Sequence, residues 1–274
     1  MPTVESIQSR YTFAQALARE AGELAHRYFQ NLDQIVVESK GTQDEVSIAD
    51  RETEVFIRAK IAETFPDDGI LGEEGGDDRD GKNIIWVIDP IDGTACFVNN
   101  MFSWCVSIAV AVDGVPSIGA VFDPNANELF HAVRGGGACM VDSDGMSKHL
   151  KVLPSKPLSE AIIEVGRFKL LGRVKTALSQ HSPAKKIVSS GASVLQWCHM
   201  ACGRVDGFVH AGEQPWDYAA GALILEEAGG RMATLLHDNY WRSVDVQGSW
   251  QKSAIAARHP ALFDEWKRWV RSHL

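Results

Sequence analysis

Ile84-Ile85-Trp86-Val87-Ile88 is a run of apolar residues with no polar interruption, and it ends directly in Asp89. A strand with one wet face alternates; an unbroken run of this length fits a strand covered on both faces. Such a strand needs a packed layer above and another below. Phe13, Ala16, Leu17, Ala21, Leu24 and Tyr28 recur at helical spacing with Arg19, Glu20, Glu23 and Arg27 between them, predicting a first amphipathic helix. Ser47-Ile48-Ala49-Asp50 reads as a capping box that opens a second helix, ending before Pro66. Between the two helices, Ile35 to Ser39 is a candidate strand that leads into the polar loop Lys40 to Glu45.

From Trp104 to Asp142 short apolar runs are punctuated by Asp113-Gly114, Asp123-Pro124 and Gly135-Gly136-Gly137, the pattern of an antiparallel meander. After Ala161 the pattern changes. Strand-like runs (AIIEV, KIVS, DGFVH, RMATL, SAIAA) alternate with helical stretches near 168–181, 193–202, 216–228 and 261–272, which reads as α/β. The expected organisation is an antiparallel α+β half, 1–150, followed by an α/β half, 151–274, joined near Lys148 to Leu158.

Lys plus Arg number 27 and Asp plus Glu 36, a formal net charge of −9, which opposes attraction to nucleic acid or an anionic bilayer. No run of 18 apolar residues occurs and the first twenty residues lack the pattern of a secretory leader, so the expected compartment is the cytoplasm. Five cysteines without paired CxxC spacing suit reduced thiols, with Cys198 and Cys202 in a helical core stretch.

Chemistry concentrates in Asp89-Pro90-Ile91-Asp92-Gly93-Thr94. A buried strand delivers Asp89 to the sheet's C-terminal edge, and a turn set by Pro90 brings Asp92 beside it. Two carboxylates in one small volume force a proton onto one of them or call for a cation, and hard oxygen ligands suit Mg²⁺. A helix-capping turn is the plainer explanation of the same residues. Glu73 and Glu74 stand on a Gly-flanked loop, Asp44 and Asp50 flank the start of the second helix, and Asp217 falls in the first turn of a helix rich in small residues. Each has a plain reading of its own: solubility, capping or helix-dipole compensation.

Together the Glu73-Glu74 loop, WVIDPIDGT at 86–94, PWDYAAG at 215–221 and the following Glu227-Ala228-Gly229-Gly230 resemble, in order and spacing, the signature motifs of the inositol monophosphatase family of Mg²⁺-dependent phosphatases. That resemblance implies a layered αβαβα sandwich of the sugar phosphatase type, two or three Mg²⁺ ions, inhibition by Li⁺ and a homodimer. It also implies site roles. Glu73, Asp89 and the Ile91 carbonyl would hold a first ion, and Asp89, Asp92 and Asp217 a second, with Glu73 facing a weaker third. Asp50 and Thr94 would orient the attacking water, the Gly93 and Thr94 amides would receive the phosphate, and Lys40 and Asp44 correspond to a loop pair of the family. Gly191-Ala192-Ser193 aligns with a segment that touches the polyol. One position departs: where animal members carry a Glu seven residues before Asp217, this chain has His210, with Glu213 three residues on as a possible substitute.

The implied activity is hydrolysis of a small polyol phosphate, inositol 1-phosphate first. Histidinol phosphate is the next candidate, for which an added acid such as Glu213 or Asp206 would suit the amine. Fructose 1,6-bisphosphate, with Arg167 for its second phosphate, and nucleotide phosphates follow. A reading from another class is a regulatory protein associated with RNA polymerase. A haloacid dehalogenase-type aspartyl nucleophile is disfavoured, because the Asp89 to Thr94 segment is one residue longer than its DxDGT motif.

Overall fold

A computed structural model describes residues 3–34, 37–41, 44–152, 154–166, 172–241 and 252–274, apart from the side chains at 34, 37–41 and 44–46. The chain opens with helix α1 (Val4–Phe29), a hairpin of β1 (Val37–Gly41) and β2 (Asp44–Ser47), and helix α2 (Ile48–Thr64). Next come β3 (Gly69–Gly72), β4 (Gly76–Asp77), β5 (Ile84–Asp92) and the short helix α3 (Thr94–Val98). The meander comprises β6 (Cys105–Val112), β7 (Val115–Asp123), β8 (Glu128–Val133), β9 (Gly137–Val141) and β10 (Ser147–Leu150). The remainder alternates β11 (Ile162–Gly166), α4 (Gly172–Gln180), β12 (Lys186–Val188), α5 (Ser193–Ala201), β13 (Gly207–Glu213) and α6 (Pro215–Glu227), and closes with β14 (Arg231–Ala233), β15 (Lys252–Ala257) and α7 (Pro260–Arg271).

Helix α1 begins well before its expected apolar stripe, because the Thr3 hydroxyl caps it by accepting the Ser6 amide at 3.2 Å. Helix α2 starts at the expected capping box, in which Asp50 Oδ2 accepts the Ser47 amide at 2.8 Å. The larger sheet runs β10-β9-β8-β7-β6-β5-β3-β4, and the smaller runs β12-β11-β13-β15-β14. Strand β5 is the covered strand that the apolar run demands: from Ile85 to Asp92 every residue is buried.

Five layers result. Ala14, Leu17 and Ala21 of α1 and Ile57 and Ile61 of α2 pack with Trp86, Ile88, Ile108 and Ile118 on one face of the larger sheet. On its other face α5 and α6 join Val121 and Phe130 to Phe208, Ala254 and Ala256 of the smaller sheet in one apolar cluster. Val174 and Leu178 of α4 and Leu262, Phe263 and Trp266 of α7 cover the far side of that smaller sheet. The order is helix, sheet, helix, sheet, helix.

Helix α6 is apolar all round, as a helix between two sheets must be. Its small residues let neighbours approach closely: a Cβ on Gly119 of β7 would lie 2.8 Å from the Ala220 carbonyl oxygen, and one on Gly221 would lie 2.5 Å from Cβ of Trp197. This packing fixes the position of the first turn of α6, which carries Asp217. Cys198 is buried in the same layer, all five cysteines are free thiols, and Trp266 is core. No helix among the described residues is long and apolar enough to cross a membrane.

Candidate active site

Asp89 and Asp92 both belong to β5, which runs on past the expected end at Asp89. Residues three apart on a regular strand point to opposite faces. The register corrects this: Asp89 pairs with Ser107 and Asp92 with Cys105, so three steps on β5 match two on β6. The resulting bulge, at Pro90-Ile91, turns Asp92 to the same side as Asp89. Pro90 therefore makes a bulge within a strand instead of a turn after it, and the Ile91 amide donates to Asp89 Oδ1 at 3.0 Å.

Asp217 reaches this pair from the first turn of α6, where its Oδ2 also accepts the Gln214 amide at 2.8 Å. Carboxylate oxygens of Asp89, Asp92 and Asp217 lie within 4.8 Å of one another. Glu73, just past the end of β3, hydrogen-bonds to Asp89. Burial, then repulsion from Asp217, Glu74 and Asp50, pushes the Glu73 carboxyl up to about 8. Burial and Asp217 push Asp92 up to about 7, against the pull of two amides and a thiol. Burial first, then Glu73, Asp92, Asp217 and Asp50, holds Asp89 well above the usual carboxylate range. The charged neighbours that act on each of these acids are other acids, so the cluster takes up either protons or a cation.

Beside the cluster, the Thr94 hydroxyl lies 3.1 Å from Asp50 Oδ1 and 3.1 Å from the Ile91 carbonyl oxygen. One proton serves one acceptor at a time, so engaging the Ile91 oxygen elsewhere commits that proton to Asp50. Asp50 is buried, and burial raises its pKa although Ser47 and Thr94 donate to it. Gly93 precedes Thr94 with φ of +94°, and a Cβ there would meet the Ser103 carbonyl oxygen at 2.7 Å. Gly191, Ala192 and Ser193 close over this turn: a Cβ on Gly191 would lie 2.5 Å from Cys96 Sγ, and one on Gly93 would lie 3.1 Å from Cβ of Ala192.

The other expected residues divide. His210 and Glu213 are both buried, on β13. His210 Nδ1 accepts the Gly212 amide at 3.2 Å, and Glu213 Oε1 accepts the Trp197 indole N–H at 3.0 Å. Asp206 is buried in ion pairs with Arg258 at 2.6 Å and Lys156 at 2.7 Å, a structural role in place of the amine contact considered from the sequence. The side chains of Lys40 and Asp44, and the whole of Arg167, lie outside the described residues. Motif reading named Ser193 for the polyol alone and missed the other neighbours that hold the acids. Ser193 and Val194 amides, in the first turn of α5, donate to Asp92 Oδ1 and Oδ2 at 3.1 and 2.7 Å, and the Cys105 thiol lies 3.6 Å from Oδ2. Glu54 accepts the amides of Glu74 and Gly75. Its position four residues after Asp50, on the same helix face, is the sequence signal that was available.

All-oxygen donors, mutual repulsion and burial suit a hard divalent cation such as Mg²⁺. Residues 6–265 match the model of the inositol monophosphatase family. The chain belongs to the inositol monophosphatase family. Among its relatives, "Nus factor SuhB" of Xylella fastidiosa is 36% identical over 218 residues, 78% of this chain and 77% of the relative. "Inositol-1-monophosphatase" of Bacillus subtilis is 35% identical over 225 residues, 79% of this chain and 82% of the relative. The solved structure of the Thermotoga maritima IMPase superposes with a TM-score of 0.81 at 29% identity, covering 96% of this chain and 97% of that one. As an inositol monophosphatase family member, the chain has a carboxylate cluster drawn from β5 and α6, flanked by Glu73 of the β3–β4 loop. Family membership supports phosphatase chemistry on small phosphate monoesters.

Proposed function

We propose that this chain is a Mg²⁺-dependent phosphate monoester hydrolase acting on a small polyol phosphate, inositol 1-phosphate first. The observation that carries this reading is the meeting of Asp89, Asp92 and Asp217 within 4.8 Å. Glu73, Asp89 and the Ile91 carbonyl would hold one ion and Asp89, Asp92 and Asp217 a second, with a weaker third at Glu73. Bound Mg²⁺ supplies positive charge for the attacking water and the departing oxygen.

The remaining work falls to the chain. With its proton on Asp50 Oδ1, Thr94 Oγ1 offers a lone pair to the attacking water, and the water's proton moves onto Oγ1 as the Thr94 proton moves to Asp50. Gly93 and Thr94 amides bind phosphate oxygens, which the bare Gly93 Cα allows to come close. Gly191, Ala192 and Ser193 orient the polyol, and Asp217 adds a contact at its edge. His210 and Glu213 shape the pocket wall from behind, where the His in place of a family Glu bears on choice of substrate; histidinol phosphate, fructose 1,6-bisphosphate and nucleotide phosphates are the ranked alternatives. The enzyme works in the cytoplasm as a homodimer.

Assaying the purified protein on a panel of phosphate monoesters, with Mg²⁺ and with EDTA, tests this. Turnover confined to Mg²⁺ and highest for inositol 1-phosphate is expected; equal rates in EDTA would defeat the reading. A second reading has its own observation, the relatives named "Nus factor SuhB". It makes this chain an RNA-polymerase-associated regulator, and co-purification with RNA polymerase from extract, set beside the phosphatase assay, separates the two.

A further inference from the structure

The loop that carries Glu73 has little of its own to hold it. Strands β3 and β4 share two register pairs, Leu71 with Asp77 and Gly72 with Gly76, and β4 is exposed. Support comes from α2 instead. Glu54, 1% exposed, accepts the Glu74 amide on Oε2 at 2.8 Å and the Gly75 amide on Oε1 at 2.6 Å. Arg58, one helical turn on, donates Nε to Glu54 Oε1 at 2.7 Å and Nη2 to the Gly76 carbonyl oxygen at 2.5 Å. Both side chains lie so tightly against the loop that a Cβ on Gly72 or Gly75 would fall 2.2 or 2.5 Å from Glu54 Oε1. A buried carboxylate bound by two amides and a guanidinium is a rigid support, since charge-assisted bonds are the strong ones.

Asp50, Glu54 and Arg58 are spaced four residues apart and share one face of α2. Through Asp50 that face holds Thr94, and through Glu54 and Arg58 it holds the Glu73 loop. We propose that Glu54 and Arg58 are positioning residues that keep Glu73 at the carboxylate cluster and so set the affinity of the cation site it shares with Asp89. The inference rests on the metal reading of the cluster.

Two measurements test it, neither using turnover. Hydrogen exchange in EDTA reads the clamp directly: in Glu54→Gln, which keeps the shape but removes one acceptor, the amides of Glu74 and Gly75 should exchange on the order of 10-fold faster or more than in the unmodified chain. Mn²⁺ titration followed by the free-ion EPR signal reads the site: Glu54→Gln should weaken the tightest site on the order of 10-fold. Arg58→Met should weaken it less, and Arg58→Lys should recover part of the loss. Melting temperatures in EDTA serve as the control for fold, and if Glu54→Gln does not fold, the Arg58 pair carries the test. Faster exchange at the loop with unchanged Mn²⁺ affinity would overturn the inference, as would unchanged exchange. Failure of the underlying metal reading looks different, because the unmodified chain itself would then bind no Mn²⁺, and both ideas would fall.

Discussion

Asp89→Asn should make the metal-free protein more stable while abolishing its chemistry. An Asn fits the place: its Oδ1 can accept the Ile91 amide as Asp89 does now, and its NH₂ can donate to Glu73. What disappears is a buried acid that can ionise only beside other acids. Because the Asp89 carboxyl is held well above its usual range, the folded site keeps a proton that the unfolded chain releases near pH 4. Stability from that group is complete below about pH 4 and is lost as pH rises towards its folded value. Each pH unit crossed with one proton retained costs about 1.4 kcal/mol. Over each pH unit above about 4 in which the folded group keeps its proton, then, the advantage of the Asn variant over the unmodified chain should grow by about 1.4 kcal/mol. For a chain of this size that corresponds to roughly 3–6 °C in melting temperature per pH unit. Glu73 at about 8 and Asp92 at about 7 place the cluster's uptake of protons between about pH 4 and pH 8. Melting both proteins by differential scanning fluorimetry in EDTA across this range measures the difference, from which titration outside the carboxylate cluster cancels. A gap that stays constant or closes as pH rises would refute the account of a proton-hungry cluster.

Thr94→Ala should lower kcat about 10²–10³-fold with little change in KM, and Thr94→Ser should keep most of the rate; steady-state kinetics showing near-normal turnover for the Ala variant would remove the Thr94–Asp50 pair from proton handling. Gly191→Ala must hold a side chain at φ +97° with its Cβ at Cys96, so a loss of about 1–3 kcal/mol is expected by calorimetry, and shortening Cys96 to Ala should restore only the part due to the collision. Asp206→Asn leaves Arg258 and Lys156 without their shared charge and should cost about 3–5 kcal/mol by urea unfolding, with the ranking of substrates unchanged; an altered ranking would return Asp206 to the pocket.

Much of this arrangement was legible because local chemistry and tertiary position agree. The Ser47–Asp50 box starts α2 where its side chains require, and the apolar run at 84–88 became a strand buried from Ile85 onward. Asp92 shows where local reading stops. A strand followed by a turn and a strand containing a bulge leave the same letters in Asp89-Pro90-Ile91-Asp92, and the choice lies with Ser107 and Cys105 on the neighbouring strand. Partners distant in sequence were equally silent: Asp206 finds Arg258, and Glu213 finds Trp197 across the core. Glu54 was overlooked for a different reason. Acid and base four apart on a helix usually mark a wet surface, and only the fold of the β3–β4 loop over that face buries the acid.

The bonds from Ser193 and Val194 to Asp92 span about a hundred residues of chain. During synthesis the ribosome therefore releases Asp89 and Asp92 long before the amides that steady one of them, and longer still before Asp217 arrives. A nascent chain halted between these points displays an unfinished acidic strand end. A product truncated before α6 would carry Asp89 and Asp92 without the third carboxylate that completes their cluster.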